Sequence, residues 1–153
     1  MIKVGIAGFG KIGQLRMEIL LERNDVEIVG VYDVVKPTKI KEGVFFESYE
    51  DLLDSDINAI FICAYNTVLA DYTARALNKG LHVFCEKPPA MTVQEIEQVI
   101  KVEKSFPKLK LKYGFNHRYH QSVQKALDII KSEKLGKIIN LRGVYGKSSV
   151  IPF

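Results

Sequence analysis

The stretch Gly8-Phe9-Gly10-Lys11-Ile12-Gly13 has the spacing G-x-G-x-x-G. Three glycines so placed permit a tight turn at Gly8, close approach of the backbone to a bulky anion at Gly10, and close packing of helix on strand at Gly13. Where such a loop opens a helix, the helix adds free N–H groups and the positive end of its dipole, a setting suited to phosphate. The spacing alone is a weak signal. It gains weight here because the apolar run Ile2–Ala7 precedes it and apolar residues at helical spacing follow it. Asp33 stands 20 residues beyond Gly13, at the end of a second apolar run. A carboxylate there can accept hydrogen bonds from a ribose and repels a 2′-phosphate, which favours NAD over NADP. Lys36 lies three residues on. It would soften that preference if it reached the ribose, although a surface lysine is the more ordinary reading. A glycine turn with no ligand is the plain alternative for the loop, and Asp33 weighs against it.

Two further clusters carry polar chemistry. Glu86-Lys87-Pro88-Pro89 follows an apolar run. A lysine beyond the carboxyl end of a strand in a doubly wound sheet points toward the ligand crevice, where it could hydrogen-bond a substrate hydroxyl. On residue types alone, an exposed turn lysine is the simpler reading. Phe115-Asn116-His117-Arg118-Tyr119-His120 gathers polar groups after another apolar run. Its histidines could serve as acid or base, or the segment could be a solvated helix entry with Asn116 as cap.

The elements that must position these groups alternate along the chain. Ile2–Ala7 reads as a strand. Ile12, Leu15, Ile19 and Leu20 recur at helical spacing, and Glu27–Tyr32 is a second strand. Val44–Phe46, Ala59–Cys63, Leu81–Cys85 and Leu109–Phe115 are further strand candidates. Ser48 with Asp51, and Thr92 with Glu95, have helix-cap spacing; Asn66 or Thr67 can cap a helix running through Asn78 to a stop at Gly80. Near-continuous apolar strands alternating with helices predict an α/β fold with a doubly wound parallel sheet, Rossmann-like. Val123, Ala126, Leu127 and Ile130 then define one more amphipathic helix, and Lys137–Tyr145 reads as a strand. Residues 1–118 are expected to form the main domain. Residues 119–153 are expected to be a linker helix and the first strand of a second α/β domain that is cut short.

Composition sets bounds on this reading. The 153 residues are 47% apolar and 26% charged, close to globular averages. The net charge of +4 comes from basic residues interspersed with acidic ones, which suits a solvated surface better than a nucleic-acid stripe. No apolar run reaches the roughly 18–20 residues of a membrane span. The first residues enter a strand directly, without the basic and apolar segments of a secretory signal. Cys63 and Cys85 both end apolar runs, as free thiols do in a reducing cytoplasm. His82, His117 and His120 have no ligand set around them, so no metal site is expected.

Taken together, these segments resemble the glucose–fructose oxidoreductase, inositol dehydrogenase and MocA-like family. The resemblance rests on Val4–Gly13, Asp33, Gly80–Pro88 (GLHVFCEKP), Gly114–Tyr119 (GFNHRY) and Leu135–Gly146, in the family's order over nearly the whole chain. It implies an NAD(P) site made of Gly8, Phe9, Gly10, Lys11, Ile12, Gly13, Asp33, Ala64, Asn66, Glu86 and Lys87. It puts Lys87 beside nicotinamide and substrate as the catalytic lysine, with its peptide to Pro88 often cis. It also puts Glu86 on the nicotinamide side, and Asn116 and Arg118 in the substrate pocket. The implied activity is hydride transfer between a secondary alcohol of a sugar, nucleotide sugar or polyol and nicotinamide. The sequence departs from the family at Ala64-Tyr65-Asn66, where Thr-Pro-Asn is common, and at Leu69, where a histidine is common. The family's downstream Asp and His have no counterpart, so little turnover is expected of these 153 residues alone. The alternative is a non-catalytic NAD(H)-binding module that acts through a partner. A homo-oligomer joined through the terminal strand is a related expectation.

Overall fold

The computed structural model describes residues 1–144 and Gly146. Six strands build one sheet: β1 (Ile2–Ala7), β2 (Val26–Tyr32), β3 (Val44–Phe46), β4 (Ala59–Ile62), β5 (His82–Cys85) and β6 (Leu111–Tyr113). Their order is β3-β2-β1-β4-β5-β6, and every neighbouring pair is parallel. The chain winds outward from β1 to β3, returns to β4 beside β1, and winds outward again. The reversal between β1 and β4 leaves a crevice at their carboxyl ends, the place where such sheets bind ligands.

The helices are α1 (Lys11–Leu21), α2 (Tyr49–Leu53), α3 (Leu69–Asn78), α4 (Val93–Ser105) and α5 (Gln121–Lys131). Two expected caps form. Ser48 Oγ accepts from Asp51 N at 3.0 Å and Thr92 Oγ1 from Glu95 N at 3.2 Å. The Glu95 carboxylate accepts from Met91 N, at 2.8 Å. Gly80, at φ +81°, ends the turn after α3. Asn66 and Thr67 do not cap α3. Asn66–Val68 form a 3₁₀ turn, and the helix begins at Leu69 with no side-chain cap.

Alternate strand residues point to opposite faces, and each face carries an apolar cluster. One gathers Tyr49, Leu52, Ile60, Ile62, Leu69, Leu77, Val83 and Val99, all buried, under α2, α3 and α4. The other gathers Val4, Ile6, Phe9, Met17, Leu20, Ile28 and Val31 under α1. The buried face of α1 is Gly13, Met17 and Leu20, while Ile12, Leu15 and Ile19 remain 43–47% exposed. Of the residues whose spacing marks the apolar face of α1, only Leu20 is buried. The tight seat at Gly13 selects the face that turns inward.

The described chain forms two compact units, Met1–Phe115 and a second beginning at Asn116. The second contains a 3₁₀ turn at Asn116–Tyr119 and α5. The strand expected over Lys137–Tyr145 is absent from its described part: residues 137–144 have no strand conformation. An extended segment needs a neighbour to satisfy its N–H and C=O groups, and among the described residues no strand pairs with this one. Tyr145 lies outside the described residues. Among the described residues no helix is long and apolar enough to cross a membrane.

Candidate functional site

The loop between β1 and α1 shows why three glycines are spaced as they are. Gly8 has φ +89°, and its N–H donates to Tyr32 O at 2.7 Å. A Cβ on Gly8 would lie 2.5 Å from the Cys63 carbonyl carbon and from Ala64 N. A Cβ on Gly13 would lie 2.0 Å from Gly8 O. These two glycines therefore let the loop press against the end of β4 and let α1 press against the loop. A Cβ on Gly10 would meet nothing within 4 Å. Gly10 is the N-cap of α1, faces open space and offers no side-chain cap. The first turn of α1 contains no acidic residue, unlike those of α2, α3 and α4. Its unpaired N–H groups and positive dipole end are thus left for an external anion.

Asp33 follows β2 directly. Its Oδ2 accepts from Phe9 N at 2.5 Å and its Oδ1 from Val35 N at 3.1 Å. Two backbone donors thus hold the carboxylate beside the glycine loop, with acceptor capacity left on both oxygens. Lys36 is engaged elsewhere, 3.2 Å from Glu47 and 5.0 Å from the Phe45 ring centroid.

A cleft of about 500 Å³ opens at this point, walled by Gly8, Gly10, Lys11, Ile12, Asp33 and Ala64 together with residues the sequence did not single out. Tyr32 and Tyr72 belong to that second group. Tyr72 stacks on Tyr49 with centroids 3.8 Å apart, and Tyr49 donates to Tyr72 O at 2.8 Å. Arg75 lies over both rings. Burial raises the Tyr49 and Tyr72 hydroxyls above the ordinary phenol range, so both stay neutral. The signal for this wall is weak, because Tyr32 comes from β2 and Tyr72 from α3, 40 positions later.

Several expected residues stand apart from the cleft wall. The Phe9 side chain is buried in the core, and only its amide serves the site, through Asp33. Asn66 is off the wall, where Thr67 and Val68 stand instead, because the 3₁₀ turn moves the chain on before α3 starts. Glu86 and Lys87 follow β5, on the far side of β4 from the glycine loop. The Lys87–Pro88 peptide is cis. Lys87 is exposed, and no hydrogen bond or ion pair to it is formed among the described residues. Glu86 Oε1 accepts from Arg16 Nε at 2.9 Å and Nη2 at 2.5 Å, a partner on α1 that no sequence signal announced. Asn116 and Arg118 lie in the second unit, exposed, with the Arg118 carbonyl accepting from Gln124 Nε2.

Cys63, half-buried on the cleft wall, and Cys85, buried, are both free. Burial pushes their thiols up to about 12 and about 11, with the Glu86 charge adding to each. Neither is an activated nucleophile at neutral pH. Among the described residues no three His, Cys, Asp or Glu side chains gather as a metal site.

Comparison with known proteins agrees with this geometry. The chain is 32% identical to inositol 2-dehydrogenase of Salmonella typhimurium, over 99% of the chain and 48% of that protein. It is 29% identical to glucose-6-phosphate 3-dehydrogenase of Bacillus subtilis, over 99% of the chain and 44% of that protein. Scyllo-inositol dehydrogenase from Lactobacillus casei, solved with bound NAD(H) and scyllo-inositol, superposes with a TM-score of 0.81 at 28% identity, covering 89% of this chain and 42% of that one. The chain spans about half the length of the relatives it matches. Residues 2–115, the sheet and its loops, match the oxidoreductase family with an NAD-binding Rossmann fold, and to that GFO/IDH/MocA family the chain belongs.

Proposed function

We propose that this chain holds the dinucleotide of a cytoplasmic NAD-dependent dehydrogenase acting on a sugar-like polyol, with residues 1–118 as the cofactor domain and 119–153 leading into the substrate domain. One observation carries the reading: the open Gly10 turn and acid-free start of α1 share a cleft with a carboxylate fixed by Phe9 N–H and Val35 N–H. The fit to a dinucleotide is specific. Gly10 leaves room for a pyrophosphate, α1 supplies donors, and Asp33 supplies acceptors for two ribose hydroxyls. The relatives named for inositol and glucose 6-phosphate support the substrate class.

The dinucleotide, when bound, supplies the hydride acceptor at nicotinamide C4. The chain's own residues bind and orient. Gly8 to Gly13 and α1 seat the phosphates, Asp33 selects the unphosphorylated ribose, and Ala64 lines the path toward β5. Lys87 is the catalytic lysine: its ammonium, held by no carboxylate among the described residues, is available to hydrogen-bond the reacting hydroxyl and polarise its O–H. Asn116 and Arg118 contribute polar contacts to the substrate.

Parallel titrations with NADH and NADPH test this reading. NADH is expected to bind more tightly. Asp33→Ala is expected to weaken NADH by about 10- to 100-fold, the equivalent of about 1.5–3 kcal/mol for hydrogen bonds to a charged group. Failure to bind either nucleotide, or an unchanged NADH affinity in the variant, refutes it.

A further inference from the structure

We propose that Arg16 is a positioning residue: it anchors Glu86, and through Glu86 the Lys87 turn, to the helix whose N-terminus seats the phosphates. The inference rests on the dinucleotide reading of the cleft and assigns the nicotinamide half of that site a determinant on α1.

The two residues are 70 positions apart, and both guanidinium donors converge on one carboxylate oxygen. The side chains are 22% and 14% exposed, so water competes little with the pair. The guanidinium also lies 4.9 Å from the centroid of Phe84, on β5 two residues before Glu86. Arg16 therefore holds β5 by a ring and a carboxylate at once. Glu86 is fixed at its other atoms. Its N–H donates to Ile62 O at 2.9 Å, and its carbonyl accepts from Cys85 Sγ at 3.3 Å. On the remaining side, just past β6, a Cβ on Gly114 would lie 2.8 Å from Glu86 Oε2, so a glycine there leaves the carboxylate room. The pair is also felt in the cleft: at the Cys63 thiol on its wall, Glu86 raises and Arg16 lowers the pKa.

Exposed ion pairs contribute little to a fold. A part-buried, doubly hydrogen-bonded pair is different, because loss of one partner strands the other charge. Without Arg16, the part-buried Glu86 carboxylate is left unpaired, and its pull toward water strains the backbone bonds to Ile62 and Cys85 that set the position of Lys87, the next residue. The adenosine half depends on Gly10 and Asp33, which Arg16 does not touch. Loss of Arg16 should therefore separate the two halves of the ligand.

The test uses the 153-residue chain with Arg16→Gln, Arg16→Lys, Glu86→Gln and the Gln/Gln double variant. Each is titrated with NADH, followed by nicotinamide fluorescence, and with ADP-ribose, which lacks nicotinamide. Arg16→Gln is expected to weaken NADH by about tenfold and to reduce its fluorescence gain, while ADP-ribose changes by less than about twofold. Arg16→Lys, which keeps the charge and loses the fork, is expected to recover part of the loss; it carries the test if Arg16→Gln does not fold. The double variant should be no worse than either single one. Equal loss of both ligands shows a merely structural role and overturns the proposal, as does an unchanged NADH affinity. A wild-type chain that binds neither ligand overturns the dinucleotide reading itself, and the proposal with it.

Discussion

Gly10→Ala and Gly13→Ala add the same methyl group to the N-cap and the first turn of α1, and the structure predicts opposite consequences. At Gly13 the new carbon would lie 2.0 Å from the Gly8 carbonyl oxygen. That oxygen is backbone and cannot rotate away. Gly8 is itself locked, at φ +89°, against Cys63 and Ala64. Relief requires α1 to lift off β1, which disturbs Met17 and Leu20 in the core. Overpacking of this kind costs about 1–3 kcal/mol, and the immobile neighbour places this case at about 3 kcal/mol or above. For a unit of this size that corresponds to a fall in Tm of roughly 10 °C. At Gly10 the carbon would meet nothing within 4 Å, and φ is −68°, which alanine adopts freely. The poorer N-cap is offset by the lower entropy of the unfolded chain, leaving a net change within about 0.5 kcal/mol. The methyl group then stands where a pyrophosphate would lie. Thermal unfolding and NADH titration of both variants separate the effects. Gly10→Ala should melt like wild type and bind NADH at least about tenfold more weakly, whereas Gly13→Ala should lose stability and affinity together. A Gly10→Ala chain with wild-type affinity refutes the placement of the phosphates, and a Gly13→Ala chain with wild-type stability refutes the packing of α1 on the loop.

Two further outcomes follow from the packing. Met17→Ala should cost about 2–5 kcal/mol in urea unfolding, whereas Leu15→Ala, which differs in sequence position by two residues but in exposure by 1% against 47%, should cost under about 1 kcal/mol; equal costs would show that α1 buries a different face. Because burial raises the Cys63 and Cys85 thiols to about 12 and about 11, their contribution to stability is full below the ordinary value of 9.0 and is lost as pH rises through the folded values. Iodoacetamide at pH 8 should accordingly label both thiols at least about 100-fold more slowly in the native than in the unfolded chain, and rapid native labelling would contradict their burial.

Much of this molecule is legible in its sequence because the signals are local. A positive φ at Gly8, an N-cap at Ser48 or Thr92, and the stop at Gly80 each depend on a few consecutive residues. Alternating apolar runs and helical spacing imply the doubly wound sheet, because strands buried on both faces must be apolar throughout. The sheet order then brings Gly8, Asp33 and Ala64 together at the carboxyl ends of β1, β2 and β4, as their positions after those strands require. What the tertiary structure alone decides is of another kind. The spacing of Ile12, Leu15 and Ile19 marks them as the apolar face of α1, yet they stay 43–47% exposed, because contact at Gly13 turns Met17 and Leu20 inward instead. Asn66 and Thr67 have cap chemistry, but the chain's path past β4 turns them into a 3₁₀ turn. Residues 137–144 have the composition of a strand, yet among the described residues no strand lies beside them and they form none. Arg16 and Glu86, and the tyrosines at 32, 49 and 72, are joined by long-range packing between side chains that leaves no periodicity along the chain. Local conformational demands are written in residue type and spacing, whereas a contact across the sheet exists only once the backbone has brought its partners together.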